Sequence, residues 1–208
     1  MRDRDLVRLH WPLALRPAFD AVFAIDDALA DIVASSTQPA LGAIRLAWWR
    51  DALGRLDHAP PPPEPRLRSA AGELIPRGIT GARLAALEDG WATLLDEAPD
   101  PTRIAARGAA LFAIAASLIG AADERLHFAG SLYALTDGAR RGLTPPLAAA
   151  TAPRDALIGH HFPRSLRPVT ALAKLAARDV RHGAPFEAEA TPARAAALLW
   201  HRWSGRIA

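Results

Sequence analysis

This chain of 208 residues has no cysteine, one methionine, one tyrosine and one lysine, Lys174. The lack of cysteine excludes disulfide bonds and thiolate-bound metals, and it fits a reducing compartment. Because arginine has almost replaced lysine, the pI of about 10.4 accompanies a net charge of only +3. That small excess of positive charge gives little reason to expect nucleic acid as a partner.

Long hydrophobic runs are also missing. The longest uncharged stretch covers residues 108–122, which is shorter than the roughly 20 residues that span a bilayer. It is more typical of a core helix. Residues 1–10 are charged and do not fit a signal peptide. These features predict a cytoplasmic protein.

Strand-type patterns are scarce, whereas half of the residues are hydrophobic, with alanine and leucine prominent. This composition predicts an all-α protein, and the length predicts one domain over residues 1–208. We expect about eight antiparallel helices around one core. The predicted helices lie near residues 17–34, 39–56, 66–74, 101–120, 122–141, 166–181 and 191–206, and residues 2–10 form a short helix or arm. A further helix follows the cap Thr80, with an apolar stripe of Leu84, Leu87, Trp91 and Leu94.

The helix predicted near residues 17–34 has one carboxylate on its apolar face. Its apolar stripe contains Phe19, Val22, Phe23, Leu29, Ala30 and Val33, and Asp26 falls in the middle of it. An ionised carboxylate there must be paired or must face a polar cavity. The next helix offers Arg45, at the edge of a stripe formed by Leu41, Ile44, Trp48 and Ala52. We therefore predict a partly buried ion pair between Asp26 and Arg45.

Three further acids, Asp20, Asp27 and Asp31, share another face of the same helix at spacings of seven and four. They can form a solvated face or contribute to a site. The adjacent Trp48 and Trp49 point about 100° apart on their helix. We expect one of them in the core and the other against a neighbouring helix or a partner protein.

Two regions carry a resemblance to a known family. Residues 11–53, which include the run Ile44-Arg45-Leu46-Ala47-Trp48-Trp49-Arg50-Asp51, resemble the N-terminal helix pair of the squalene/phytoene synthases. Residues 132–145 resemble the helix that carries the second acidic motif of that family. The resemblance implies an isoprenoid synthase fold, a helical bundle around a central apolar cavity. It also implies enzymes that join two prenyl diphosphates with Mg²⁺ held by aspartates.

Both acidic motifs are eroded in this chain. The first motif of the family reads Asp-Asp-any-Val-Asp, and it corresponds here to residues 30–34, where only Asp31 is acidic. An alternative register places it at residues 27–31 and retains Asp27 with Asp31. The second motif corresponds to residues 137–141 and keeps one acid, Asp137. The losses count against catalysis but not against the fold, which depends on the apolar stripes.

One branch of the family is similar in having the Arg-Leu-any-Trp-Trp-Arg-Asp helix with weakened acidic motifs. It includes the mitochondrial assembly factor for respiratory complex I and its bacterial relatives. This resemblance implies a non-catalytic protein, without a cofactor, that binds an isoprenoid or lipid ligand or a protein partner. The alternative location, peripheral at the inner membrane, depends on the last helix described below. The competing interpretations are an active Mg²⁺-dependent prenyltransferase and an unrelated helical adaptor or nucleic-acid binder.

Several charged residues are candidates for contacting a diphosphate or for lining the cavity. Guanidinium groups suit a diphosphate, although Arg140 and Arg141 would also stabilise the C-terminal end of a helix. The seven histidines form no spaced pair on one helical face, so we predict no metal site. The candidate ligand-binding residues are Arg16, Asp26, Asp27, Asp31, Arg45, Asp137, Arg140 and Arg141.

The last predicted helix is amphipathic and basic. It carries Leu198, Leu199, Trp200, Trp203 and Ile207 among Arg194, Arg202 and Arg206. Such a helix can rest on an anionic membrane. The alternative is that it packs its apolar stripe onto the bundle.

Overall fold

The computed structural model describes residues 1–143 and 147–208, and the secondary structure in these ranges is entirely helical. The prediction of an all-α fold is confirmed. Short 3₁₀ turns at Leu13–Leu15, Ile75–Arg77, Thr93–Leu95, Leu147–Ala150 and Arg164–Leu166 connect the α-helices. The α-helices are α1 (Asp3–Arg8), α2 (Arg16–Ser35), α3 (Pro39–Arg55), α4 (Pro65–Glu73), α5 (Gly81–Ala85), α6 (Asp89–Ala92), α7 (Pro101–Leu118), α8 (Leu126–Arg140), α9 (Thr151–Asp155), α10 (Arg167–His182) and α11 (Pro192–Ser204).

Capping side chains begin three of the helices where the sequence predicts. Asp100 accepts a hydrogen bond from the backbone N–H of Thr102 at 2.7 Å, directly before α7. Thr80 caps α5 and Thr191 caps α11 in the same way. These contacts satisfy backbone donors that a helix start leaves without an intrahelical partner.

Two predicted helices differ from the observed ones. The segment after Thr80 breaks into α5, α6 and a 3₁₀ turn, although Leu84, Leu87 and Trp91 are buried as predicted. Gly90 approaches α7 so closely there that an added Cβ would overlap Arg107. The helix expected from residue 122 begins at residue 126, because Asp123 accepts from the backbone N–H of Arg125 in a preceding turn.

Helix α2 buries the stripe that the sequence predicts, whereas α3 is turned differently from our expectation. The buried face of α3 contains Gly42, Leu46, Trp49, Ala52 and Leu53. The prediction that Leu41, Ile44 and Trp48 face the core was wrong, since all three are exposed. Helix α3 carries apolar residues around most of its circumference, and packing against α5 and α2 decides which of them are buried.

The most extensive helix contact joins α7 to α8. Gly108 and Gly130 face each other at this contact, and a Cβ on either residue would overlap the carbonyl oxygen of the other. Helix α10 packs on α8, and both α1 and α11 pack on α10. This arrangement brings the N-terminal helix beside the C-terminal end of α8.

The buried apolar side chains of the described residues form one contiguous cluster. A chain of rings runs through it from Trp11 through Phe19 and Phe23 to Tyr133 and Phe112, with centroids 4.7–6.2 Å apart. No helix in the described ranges combines the length and the apolar character that crossing a bilayer requires. Thr144 and Pro145, at the end of the second resembling region, lie outside the described residues.

Candidate functional site

The strongest candidate site lies where α2 meets the C-terminal end of α8. Arg141 connects the two helices, because its Nη2 donates to Asp27 Oδ1 at 3.0 Å and its Nε donates to Asp137 Oδ2 at 2.9 Å. Two of the predicted site acids, 110 positions apart in sequence, therefore share one guanidinium group.

Asp27 is the most heavily paired of these acids. Besides Arg141, it forms salt bridges with Arg4 and with Arg2, whose Nη1 lies 3.5 Å from Asp27 Oδ2. Burial acts to raise the pKa of Asp27, but hydrogen bonds from Arg4 and Arg141 and their positive charges hold it below its ordinary value. Asp27 is therefore held in its ionised form.

Asp137 differs from Asp27 in its electrostatics. Burial raises the pKa of Asp137 above its ordinary value, and the nearby Arg141 and Arg107 only partly oppose this effect. Burial also raises the pKa of Tyr133, one helical turn earlier, well above its ordinary value. The α8 side of the site is thus less favourable to negative charge than the α2 side.

Asp26 lies behind this pair, inside the protein. Its Oδ1 accepts from Arg107 Nη1 at 2.7 Å and from Trp91 Nε1 at 2.8 Å. The Arg107 guanidinium also stacks on the Trp91 ring, 3.8 Å from its centroid. Asp26 is paired, as the sequence predicts, but it is fully buried where we expected partial burial. Its predicted partner was wrong: Arg45 is exposed, because the rotation of α3 places it on the outer face.

We call these residues the arginine–carboxylate cluster, defined as Asp26, Asp27, Asp137, Arg4, Arg107 and Arg141. The buried position of Arg107 had a signal in the sequence, since it lies between Ile104 and Leu111 on the apolar stripe of α7. The roles of Arg2 and Arg4 had no such signal in the sequence. Their position depends on how the six-residue helix α1 packs on the rest of the protein.

A second buried salt-bridge group holds α1 in place. Arg194 of α11 bonds Asp3 of α1 at 2.8 Å and 2.9 Å and Asp179 of α10 at 2.6 Å. Asp3 also accepts from the backbone N–H of Ala190. These contacts join three helices and hold Arg2 and Arg4 at Asp27.

Two pockets adjoin the cluster. An inner pocket of about 80 Å³ lies between α1, α8 and α10, with Tyr133, Asp137 and Arg140 in its wall. An outer groove of about 560 Å³ opens beside it. Asp31 lines that groove and pairs with Arg66 at 3.2 Å. Both walls are rich in charged side chains.

The remaining candidates point elsewhere or link to the second group. Arg140 pairs with Asp179 at 3.1 Å and donates to the carbonyl of Glu187. Arg16 donates to the backbone carbonyls of Leu9 and Trp11, so it holds the turn before α2. The structure thus brings five of the eight candidates to the outer groove: Asp27, Asp31, Asp137, Arg140 and Arg141.

Comparisons with protein-family models, with curated proteins and with solved structures give no match to this chain. The squalene/phytoene synthase resemblance therefore stays a prediction from the sequence. The chemistry of the cluster follows from its geometry alone. Every carboxylate in it contacts a guanidinium, so the positive charges that balance these acids are supplied by the protein.

Proposed function

We propose that this protein is a non-catalytic relative of the squalene/phytoene synthases that works by binding a protein partner, as an assembly factor of a respiratory complex does. The observation that carries the proposal is the bridging of Asp27 and Asp137 by Arg141. An enzyme of the synthase type needs carboxylates that coordinate Mg²⁺, which in turn holds the diphosphate. Here guanidinium groups take the place of the cation between the acids.

The donor set does not fit a divalent metal cluster. Asp27 contacts Arg2, Arg4 and Arg141, and a metal would have to displace these contacts before it gained an oxygen ligand. Burial holds the pKa of Asp137 above its ordinary value, so the ionised form that a metal would need is less favoured. Both features favour a structural role for the acids.

The surface of α3 supports a protein partner. Leu41, Ile44 and Trp48 form an exposed apolar stripe on the helix that carries the Trp-Trp motif. Trp48 packs edge-to-face on Trp49, which is buried, so its ring is held in place. A fixed aromatic side chain in an apolar stripe is typical of protein interfaces.

An apolar ligand has weaker support. The inner pocket of about 80 Å³ is well below the roughly 300–1,000 Å³ of typical ligand sites. The outer groove is larger but is lined mainly by charged residues. An isoprenoid or lipid chain would find little apolar surface in either.

One observation favours the alternative, an active prenyltransferase. Acids from two helices do converge, because Asp27 of α2 and Asp137 of α8 both contact Arg141. If α1 and Arg141 moved away, these acids would face each other across the outer groove. The alternative therefore requires a rearrangement of α1.

Isothermal titration with a non-hydrolysable farnesyl diphosphate analogue, with and without Mg²⁺, separates the two functions. We expect no Mg²⁺-dependent binding. Tight binding that requires Mg²⁺ would favour the enzyme. Binding that ignores Mg²⁺ would instead support a lipid-carrier role.

The partner-binding surface has its own test. In cells that lack this protein, the variant Ile44→Asp/Trp48→Asp should fail to restore activity of the respiratory complex, although it folds normally. The matched control is Leu13→Asp, an exposed apolar residue outside α3. Full restoration by the α3 variant would contradict the proposed interface.

A further inference from the structure

The outer face of α11 is apolar and uncovered. Leu199, Trp200 and Trp203 are 63%, 53% and 73% exposed. The helix docks on the protein through its opposite face, where Leu198 and His201 are buried. The alternative in which the apolar stripe packs onto the bundle therefore holds for Leu198 and Ile207, which are buried, but not for Leu199 and the two tryptophans.

These exposed side chains form a continuous patch. Residues 199 and 203 are one helical turn apart, as are residues 200 and 203. The rings of Trp200 and Trp203 lie side by side, with centroids 5.2 Å apart. The patch therefore presents two amphipathic indoles and a leucine to whatever covers it.

The C-terminal quarter of the chain that carries this patch is basic. Residues 156–208 contain eight Lys and Arg side chains and three Asp and Glu, whereas residues 1–155 contain seventeen and nineteen. Residues 156–178 and 190–208 have no acid at all. The net charge of +3 is thus concentrated on α10, α11 and the segment before α10.

Few of these cations are balanced by an acid among the described residues. Within the described ranges, only Arg178 and Arg194 of the eight form a salt bridge, whereas twelve of the seventeen in residues 1–155 do. Arg164 and Arg202 line an open groove beside Trp203. Two cations without a salt bridge to any described residue, Arg164 and Arg202, therefore lie beside the apolar patch.

We propose that the outer face of α11 rests on an anionic lipid bilayer. Indole rings partition into the headgroup region, where the ring is buried and its N–H finds a polar partner. Arginines beside them reach lipid phosphates, since each cation near an anionic surface adds to binding. The exposed aliphatic side chain of Leu199 fits the acyl boundary better than it fits the stacked bases of a nucleic acid.

This surface is separate from the arginine–carboxylate cluster, so the two proposals can fail independently. Arg194 faces the inner pocket from the inner side of α11. The tryptophans of the patch lie on the outer side. Binding of lipid therefore requires no change at Asp27 or Asp137.

Vesicle co-sedimentation of the full chain tests the proposal. We expect binding to vesicles of equimolar phosphatidylglycerol and phosphatidylcholine, weakened by salt, and little binding to phosphatidylcholine alone. Trp200→Ser/Trp203→Ser and Arg164→Glu/Arg202→Glu should each reduce the partition coefficient by about tenfold or more. Circular dichroism and thermal melting should show both variants folded, because these side chains are exposed.

Matched variants on other faces complete the design. Trp48→Ser removes an exposed tryptophan of α3, and Arg45→Glu/Arg68→Glu reverses two exposed cations elsewhere. Both should leave vesicle binding within about twofold of the wild type. Equal losses in these controls, or no binding to anionic vesicles, would overturn the proposal. So would release of the protein from vesicles by a DNA oligonucleotide, which would indicate a nucleic-acid surface.

Discussion

Asp26 on α2 and Arg107 on α7 form an ion pair of 2.7 Å whose side chains are 0% and 1% exposed. Trp91 of α6 completes it by donating to the same carboxylate oxygen and stacking on the guanidinium. Three helices meet at this contact. It fixes α2 relative to α7 and sets the back wall of the arginine–carboxylate cluster.

Removal of one partner of this pair should be costly. Arg107→Ala leaves the Asp26 carboxylate buried without its cation, so we expect a loss of about 3–5 kcal/mol in the free energy of unfolding. Urea denaturation measures it. The control is Arg103→Ala, whose salt bridge with Asp89 is partly exposed and should be worth less than about 1 kcal/mol.

Replacement of both partners distinguishes charge from packing. The double variant Asp26→Leu/Arg107→Met keeps the volume and removes both charges, so it should be markedly more stable than Arg107→Ala. If it were equally unstable, the importance of the pair would lie in its shape and not in charge compensation.

Alanine substitutions at two glycines, one at the contact between α7 and α8 and one away from it, should change stability in opposite directions. Gly130→Ala places a methyl group against the Gly108 carbonyl and should destabilise the protein by about 1–3 kcal/mol. Gly72→Ala, in α4, meets no neighbouring atom and should stabilise by about 0.5–1 kcal/mol. Thermal melting of both variants checks the pair. Equal effects would mean that α7 and α8 are farther apart than the structure has them.

His201 predicts how stability depends on pH. Burial lowers the pKa of His201 to about 4, outweighing its hydrogen bond to the Arg206 carbonyl. The unfolded chain takes up the proton near pH 6.5, so the stabilisation is complete above that pH and falls as the pH drops toward 4. Between pH 6.5 and about pH 5 we expect a loss of about 2 kcal/mol from this residue.

The variant His201→Gln isolates that effect. It should show a flatter dependence of unfolding free energy on pH over the same range. His182→Gln, at the exposed end of α10, should keep the slope of the wild type. An unchanged slope in His201→Gln would show that this histidine is not kept neutral by burial.

Local patterns in the sequence are sufficient to predict most of the helices and the burial of Asp26. Helix starts follow from local chemistry, as at Asp100 and Thr191, and α2 has one clear apolar face. The orientation of α3 is not local. Its circumference is apolar on several sides, and tertiary packing selects Trp49 over Trp48 for the core.

The partners of the site acids depend on contacts between distant parts of the chain. An active enzyme would need acids from two helices to converge, and the structure brings Asp27 and Asp137 to Arg141. The sequence could not place Arg2 and Arg4, because α1 is held through Asp3 by Arg194, 191 positions away. The spacing of apolar residues along the chain does not indicate which distant residues form such a contact.

If arginines neutralise the acids of the cluster, removal of these arginines should allow the acids to bind a metal ion. In the variant Arg4→Gln/Arg141→Gln, Asp27 and Asp137 lose most of their compensating charge, so Mg²⁺ should raise the melting temperature by roughly 2–4 °C. The wild type should not respond. Arg66→Gln, which frees the exposed Asp31, is the control and should not respond either. A Mg²⁺-dependent rise in the wild type would show that the arginines yield to metal.

The most direct test of the account is a condensation assay with farnesyl and geranylgeranyl diphosphate and Mg²⁺, with products identified by gas chromatography and mass spectrometry. Because Arg141 bridges Asp27 and Asp137, we expect no head-to-head product. A thirty- or forty-carbon hydrocarbon formed by the purified protein would contradict the non-catalytic function proposed for it.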